Sequence, residues 1–318
     1  MTRPLADRIA GAPITWGVCE VPGWGHQMSP DRVLDEMAAI GLRATELGPD
    51  GFLPTDAAEL GRALDSSGLA LVAAFVPLVL HVPSVRTSEL ARMERQADLL
   101  AAAGASVLVL TASTGSSGYE SSRAIDDDSW RSLVDGLDAA SAAAAASGLR
   151  ATLHPHYGTV IEGPDEVDRL LERSSIPLCL DTGHLFVGGA DPVAIAVKAA
   201  GRVAHVHLKD VSADLGEGVR SGRLGYQEAV GLGMYRPLGH GDLDIAGVVT
   251  TLERSGYDGW YVLEQDTVIG AEPPAGSGPI EDARASYEYL LDLASVLDAN
   301  GQQRDAGVRA SGGAGVAR

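Results

Sequence analysis

Two cysteines in 318 residues, Cys19 and Cys179, are too few to staple a fold, so a disulfide scaffold is excluded and a reducing compartment is expected. Long apolar runs are missing too: no window reaches the ~18 uncharged apolar residues of a membrane-spanning helix. The opening MTRPLADRIAG lacks the apolar middle of a secretory signal, and a cytoplasmic protein is the expectation. Basic residues are scarce beside acidic ones, 24 Lys and Arg against 43 Asp and Glu, for a net charge of -19. Nucleic acid and anionic membranes are bound through positive surfaces, so neither is an expected partner. The balance suits a protein that holds cations. What is present is ordinary for a folded chain: 45% hydrophobic and 21% charged residues allow a large core and exclude wholesale disorder.

Short apolar, β-rich runs alternate with longer amphipathic or Ala-rich ones. Strands are expected at Ile9–Trp16, Arg43–Leu47, Ala70–Val76, Val107–Thr111, Arg150–His154, Leu178–Asp181, Val203–His207 and Trp260–Glu264. Helices are expected at Pro30–Ile40, Ala57–Ser67, Ser88–Ala103, Asp128–Ser147, Pro164–Ser174, Asp191–Ala200, Asp244–Ser255 and Glu281–Ala299. Ser29-Pro30, Gly163-Pro164-Asp165 and Asp191-Pro192 mark helix starts; Gly41, Gly68, Gly104, Gly148 and Gly256 mark ends. Eight strands alternating with eight helices is the count of a single (β/α)8 TIM barrel, an α/β fold. A doubly wound open sheet competes with it, but no G-x-G-x-x-G follows the first strand and no P-loop occurs. The barrel is expected to span residues 1–300 as one catalytic domain, and the Gly/Ala/Arg-rich residues 301–318 to form a disordered tail. Lys209–Asp244 reads as a long non-helical loop over the C-terminal face of the barrel, a place where function collects.

Polar residues gather where the strands end: Thr45-Glu46, His154-Pro155-His156, Asp181-Thr182-Gly183-His184, His205-Val206-His207-Leu208-Lys209-Asp210 and Glu264-Gln265-Asp266. Four consecutive strands that each offer an imidazole or a carboxylate at the top of a barrel suggest a divalent metal site. The candidate ligands are His154, Asp181, His207 and Glu264, one per strand. Two imidazoles and two carboxylates without a thiolate suit Mn2+, Co2+, Fe2+ or Zn2+, and are too nitrogen-rich for Ca2+ or Mg2+. Alternation puts His205 and His207 on one strand face, with His207 nearer the rim and His205 below it as a supporting or core group. Each residue also has a plainer reading: a structural imidazole for His154, a helix cap for Asp181, a solvated rim charge for Glu264. Glu46 is either a site carboxylate or a partner for Arg43. Lys209 shares the His207 face if the strand continues, and then reaches the site from the rim.

Longer motifs add a resemblance. APITWG and VPGWG near the start, TELGPDGFLP after strand two, LHPHYGT, LDTGH, HVHLKD and the closing GWYVLEQD together resemble the inosose dehydratase group of the xylose-isomerase-like sugar isomerase/epimerase barrels, from about Ile9 to Leu297. HVHLKD or DTGH alone marks only the superfamily; TELGPDGFLP with HPHYGT is more specific. The resemblance implies metal ligands at the ends of strands five to eight, where Asp181, His207 and Glu264 match. The first position is His154, where ketose epimerases carry Glu, and dehydratase-like members read H-x-H there. This weakens the case for an epimerase with two carboxylate bases, and leaves His154 and His156 both open as ligand.

The implied reaction is loss of water from a cyclic keto-polyol of the 2-keto-myo-inositol type, through an enolate stabilised by a bound metal, Mn2+ or Co2+ before Zn2+ or Fe2+. Glu264 or Glu46 would be the base, and His156 or Lys209 the acid or enolate stabiliser. His184 and Arg236 would hold substrate hydroxyls, with Trp16, Trp24 and Tyr235 as an apolar wall. The alternative is a sugar or inosose isomerase or 3-epimerase on the same barrel, which shares the metal but keeps the water. A metal-dependent DNA-repair endonuclease is disfavoured by the charge, and a non-catalytic sugar-binding barrel would bind without turnover. Homo-oligomers are common in the superfamily.

Overall fold

The computed structural model describes residues 3–116, 118 and 124–312, and for 300–312 the backbone helix only. Eight parallel strands close into a barrel: β1 (Ile9–Gly11), β2 (Ala44–Glu46), β3 (Ala70–Leu78), β4 (Val107–Ala112), β5 (Arg150–Leu153), β6 (Leu178–Asp181), β7 (Val203–Leu208) and β10 (Tyr261–Leu263). The closed order β1-β10-β7-β6-β5-β4-β3-β2 excludes the open doubly wound sheet. The helices are α1 (Pro30–Ala39), α2 (Ala57–Ser67), α3 (Pro83–Ala102), α4 (Asp127–Ala146), α5 (Pro164–Arg173), α6 (Thr182–Val187), α7 (Pro192–Ala199), α8 (Ala213–Arg220), α9 (Tyr226–Gly231), α10 (Ile245–Arg254) and α11 (Pro279–Gly312). Helix α11 runs past Ala299 into the segment expected to be a tail, whose remainder, 313–318, lies outside the described residues. Among the described residues no helix is long and apolar enough to cross a membrane.

The barrel holds two apolar layers. Leu, Ile and Met side chains fill the space between strands and helices, as in Leu108, Leu110, Leu180, Val206 and Leu263. Inside the barrel the packing is by small residues, Ala10, Ala44, Val107, Cys179 and Val262 among them. Period-two alternation carries each inner column upward to a polar residue: Ala44 to Glu46, Thr152 to His154, Cys179 to Asp181, His205 to His207, Val262 to Glu264. Small residues below leave the room that large polar ones use above. At the lower end the fully buried Arg8 uses one guanidinium nitrogen, Nη2, to donate to both Glu253 oxygens at 2.6 and 2.8 Å.

Three expectations need correction. The first strand was expected to run to Trp16, but it stops at Gly11. Pro13 cannot donate to a ladder, and Pro13–Trp16 winds a 3-10 turn that ends on Gly17 in the left-handed region (φ 77). Ser29 makes no side-chain cap on α1, which starts on Pro30 alone, whereas Asp191 caps α7 as expected. Lys209–Asp244 is not a bare loop. It contains β8 (Asp210–Val211), α8, α9 and β9 (Tyr235–Arg236), with β8 and β9 paired antiparallel. The reason is a separate small core in which Val211, Val219, Tyr226, Val230, Met234 and Tyr235 pack with Trp24 and Val187.

Candidate metal centre and cavity

The strand ends meet at the C-terminal mouth of the barrel. At the end of β5, His154 Nδ1 lies 2.9 Å from the Pro155 carbonyl, which can only accept. The proton therefore sits on Nδ1, and the Nε2 lone pair faces Asp181 Oδ2 at 3.3 Å. Asp181 uses Oδ1 to accept from the His184 amide (2.8 Å) and cap α6, which leaves Oδ2 turned inward. His207 Nε2 lies 3.0 Å from Glu46 Oε1, while its Nδ1 is 3.6 Å from Asp181 Oδ2 and in contact with Glu264 Oε2. Ligand atoms of His154, Asp181, His207 and Glu264 all lie within 4.8 Å of one another. Three of these atoms, Asp181 Oδ2, His207 Nδ1 and Glu264 Oε2, are buried and make no hydrogen bond. Lone pairs converging in a dry site are unfavourable unless a cation lies between them, so the residues fit a divalent metal.

Burial would raise the Asp181 carboxyl, but Lys209 and His184 hold it well below the ordinary range. Burial would lower His207, but Cys179, Glu264 and Glu46 reverse the sign and hold it well above an ordinary imidazole. Glu46, also resisted by burial, is kept low by His207 and His205. Lys209 is 1% exposed. Burial opposes its charge, and Asp266, Glu264 and Asp181 outweigh that and push its pKa well up. Its Nζ pairs with Asp266 Oδ1 and lies 3.2 Å from Glu264 Oε1. Tyr226 donates to the other Asp266 oxygen at 2.7 Å and meets the Tyr235 hydroxyl at 2.9 Å. The Asp266 carboxyl is raised, by burial first and then by Glu264.

His156 and His184 stack with ring centroids 3.6 Å apart. Burial and the neighbouring His154 push His156 down to about 3; burial and His156 hold His184 well below its ordinary value. Both imidazoles are therefore held toward the neutral form, in which each keeps one N–H donor and one acceptor nitrogen. Gly183, between Asp181 and His184, is packed so closely that a Cβ there would lie 2.7 Å from Lys209 Cβ and from Tyr235 Cε1.

Above these groups is a cavity of about 180 Å³. His154, His156, His184, Lys209, Glu264 and Asp266 line it, together with the apolar Ile14, Val18, Trp24 and Phe75. Glu46 also reaches it, from the barrel interior. Three expected residues do not. Trp16 is fully buried and donates to Glu36 Oε2 at 2.8 Å, because the 3-10 turn aims it at α1. Tyr235 is buried in the small core beside Tyr226. Trp24, expected with them, does line the cavity. Arg236 is exposed on the β8–β9 hairpin and lies against Gly233. Asp266 is a site carboxylate that the motifs did not single out. Its period-two spacing from Glu264 was the available signal.

The family described as xylose isomerase-like TIM barrel matches residues 34–293 of this chain. The chain is 33% identical over 294 residues to the inosose dehydratase of Geobacillus kaustophilus (strain HTA426), covering 89% of this chain and 93% of that protein. Among solved structures, an L-ribulose 3-epimerase matches with a TM-score of 0.68 at 16% identity, over 93% of this chain and 97% of that one. The IOLI protein, described with a binding zinc atom, matches with a TM-score of 0.65 at 13% identity, over 91% and 99%.

Proposed function

Since the chain belongs to the xylose isomerase-like TIM barrel family, alongside inosose dehydratases, we propose that it is a metal-dependent hydro-lyase acting on a cyclic keto-polyol of the inosose type. The observation that carries this reading is the convergence of His154 Nε2 and three buried, unbonded atoms on one point at the cavity floor. His154, Asp181, His207 and Glu264 would hold a divalent ion, Mn2+ or Co2+ by donor chemistry, with Zn2+ and Fe2+ also suited. The bound ion supplies a Lewis acid for the charge that develops on the substrate carbonyl oxygen.

The chain's own residues do the rest. Glu264 takes the proton α to the carbonyl, with its Oε1 beside Lys209. Lys209, cationic among Asp266, Glu264 and Asp181, stabilises the oxygen charge, gives a proton to the departing hydroxyl so that it leaves as water, and regains one from the protonated Glu264 3.2 Å away. Neutral His156 and His184 exchange hydrogen bonds with ring hydroxyls, while Trp24 and Phe75 shelter the carbon skeleton from water. With His154 at the first ligand position, the carboxylate pair that a two-base epimerase needs is incomplete.

The test is a proton NMR time course in D2O with 2-keto-myo-inositol, using metal-loaded and chelator-treated protein. Metal-dependent appearance of the dehydrated dione is expected. Deuterium entering the α-carbon, or a new isomer, without loss of water would refute the hydro-lyase and favour the isomerase or epimerase. His207→Ala with full turnover and unchanged metal content would refute the site.

A further inference from the structure

Glu46 comes from β2, which is separated from β7 in the closed barrel by β1 and β10, so its side chain crosses the barrel interior to reach β7. A register shift between Thr45 and Glu46 against β3 re-aims it there. One oxygen, Oε1, lies 2.7 Å from His205 Nε2 and 3.0 Å from His207 Nε2. Glu46 is 3% exposed and both imidazoles are fully buried, with the two rings edge to face at 5.3 Å. We propose that Glu46 is a positioning residue, which with His205 forms a dry support that fixes the His207 ring so that its Nδ1 lone pair faces the metal position.

An imidazole has two nitrogens, and the proton that Nε2 shares with Glu46 leaves Nδ1 as the ligand atom. That Nδ1 is the atom near Asp181 Oδ2 and Glu264 Oε2. His205 supplies the second donor to the same Glu46 oxygen. This holds Oε1 turned toward β7, away from Glu264 and Asp181. The same trio, Glu46, His205 and His207, has ligand-type atoms clustered within 4.8 Å. A metal there is disfavoured, because the converging Glu46 oxygen already accepts from both imidazoles. With Oε1 taken up by two imidazoles, Glu46 acts through His207 even though it reaches the cavity edge.

The inference rests on the reading of His207 as a metal ligand. Co2+ is titrated into the chelator-stripped full chain, wild type, Glu46→Ala, Glu46→Gln and His205→Gln, with affinity read by calorimetry and ligand geometry by the visible Co2+ absorption. Glu46→Ala should weaken Co2+ binding about 10- to 100-fold and shift the absorption. Glu46→Gln keeps an acceptor oxygen at the same place and should recover most of both, and His205→Gln should fall between. Turnover in Glu46→Ala should rise with added metal. A residue needed only for folding would move the melting temperature while leaving the affinity and absorption of the folded protein unchanged, and that result overturns the inference. So does Glu46→Gln with wild-type affinity but turnover abolished at saturating metal, the behaviour of a base. If Glu46→Ala does not fold, the same comparisons in Glu46→Gln and His205→Gln decide. Wild type that binds no Co2+, Mn2+ or Zn2+ would instead refute the metal centre itself.

Discussion

Replacing Asp210 should unfasten the cap over the cavity. Its carboxylate is fully buried and accepts four backbone amides: Val211 (2.9 Å) and Leu243 (3.1 Å) on Oδ1, Gly239 (2.9 Å) and Gly241 (3.0 Å) on Oδ2. Hydrogen bonds to a charged acceptor contribute about 1.5–3 kcal/mol each. Four together exceed what is lost in practice, because water can enter the gap and the segment can relax. A net loss of about 3–5 kcal/mol is expected for Asp210→Ala, the range seen when a buried charged partner is removed. For a chain of this length each kcal/mol moves Tm by about 2 °C, so the fall should be about 5–10 °C. The sharper variant is Asp210→Asn. An amide presents one oxygen and one NH2, so two of the four backbone donors face another donor, and Asn should be nearly as damaging as Ala. Since Asp210 pairs with Arg236 and Val211 with Tyr235, the hairpin should loosen first, and with it the Tyr235–Tyr226 hold on Asp266. Differential scanning calorimetry gives the Tm, and hydrogen exchange over residues 236–244 gives the local effect. Asp210→Asn with wild-type Tm and undiminished protection there would refute the reasoning.

In chelator-treated protein, stability should fall as pH drops from about 6.5 to 4.5, because His156, His184 and His205 have depressed folded pKa values while their unfolded counterparts titrate near 6.5. Their contribution is present above pH 6.5 and lost below it, as the unfolded imidazoles take up protons that the folded ones resist. His207, with its pKa raised, is protonated in both states over that window and adds no slope; the lowered carboxylates Asp181 and Glu46 act only below it. His156→Gln should reduce the slope of urea-derived stability against pH, and an unchanged slope counts against the buried neutral imidazole. Arg236→Ala should leave kcat and KM within about twofold, since the guanidinium lies outside the cavity. A tenfold rise in KM would mean that the hairpin closes further over the substrate.

What the sequence made legible was whatever depends on alternation. In β7, His205 and His207 differ by two residues and therefore face the interior together, and the same rule raises Asp181 above Cys179 and Glu264 above Val262. Trp16 broke the rule because the chain leaves the sheet at Gly11, and beyond Pro13 alternation no longer reports which way a side chain points. Arg236 was misplaced for a different reason. The two short helices before it, eight and six residues long, are held by a core that depends on Trp24, some two hundred positions away in the chain. The role of Glu46 was equally hidden: a three-residue strand with a register shift gives no hint that its carboxylate crosses the barrel to two histidines.

The tight fit of Gly183 against Lys209 and Tyr235 bears on how such a site can change over generations. A methyl group at 183 has no space while both neighbours keep their present side chains, so that replacement is deleterious when it comes first. Exchanging Tyr235 for a smaller residue would remove one of the two collisions, but the one with Lys209 Cβ would remain, because every residue other than glycine keeps that atom. Lys209 is also the less free partner, because three carboxylates lean on its charge. Glycine at 183 is therefore tied to the lysine at the end of the next strand, whatever happens at Tyr235.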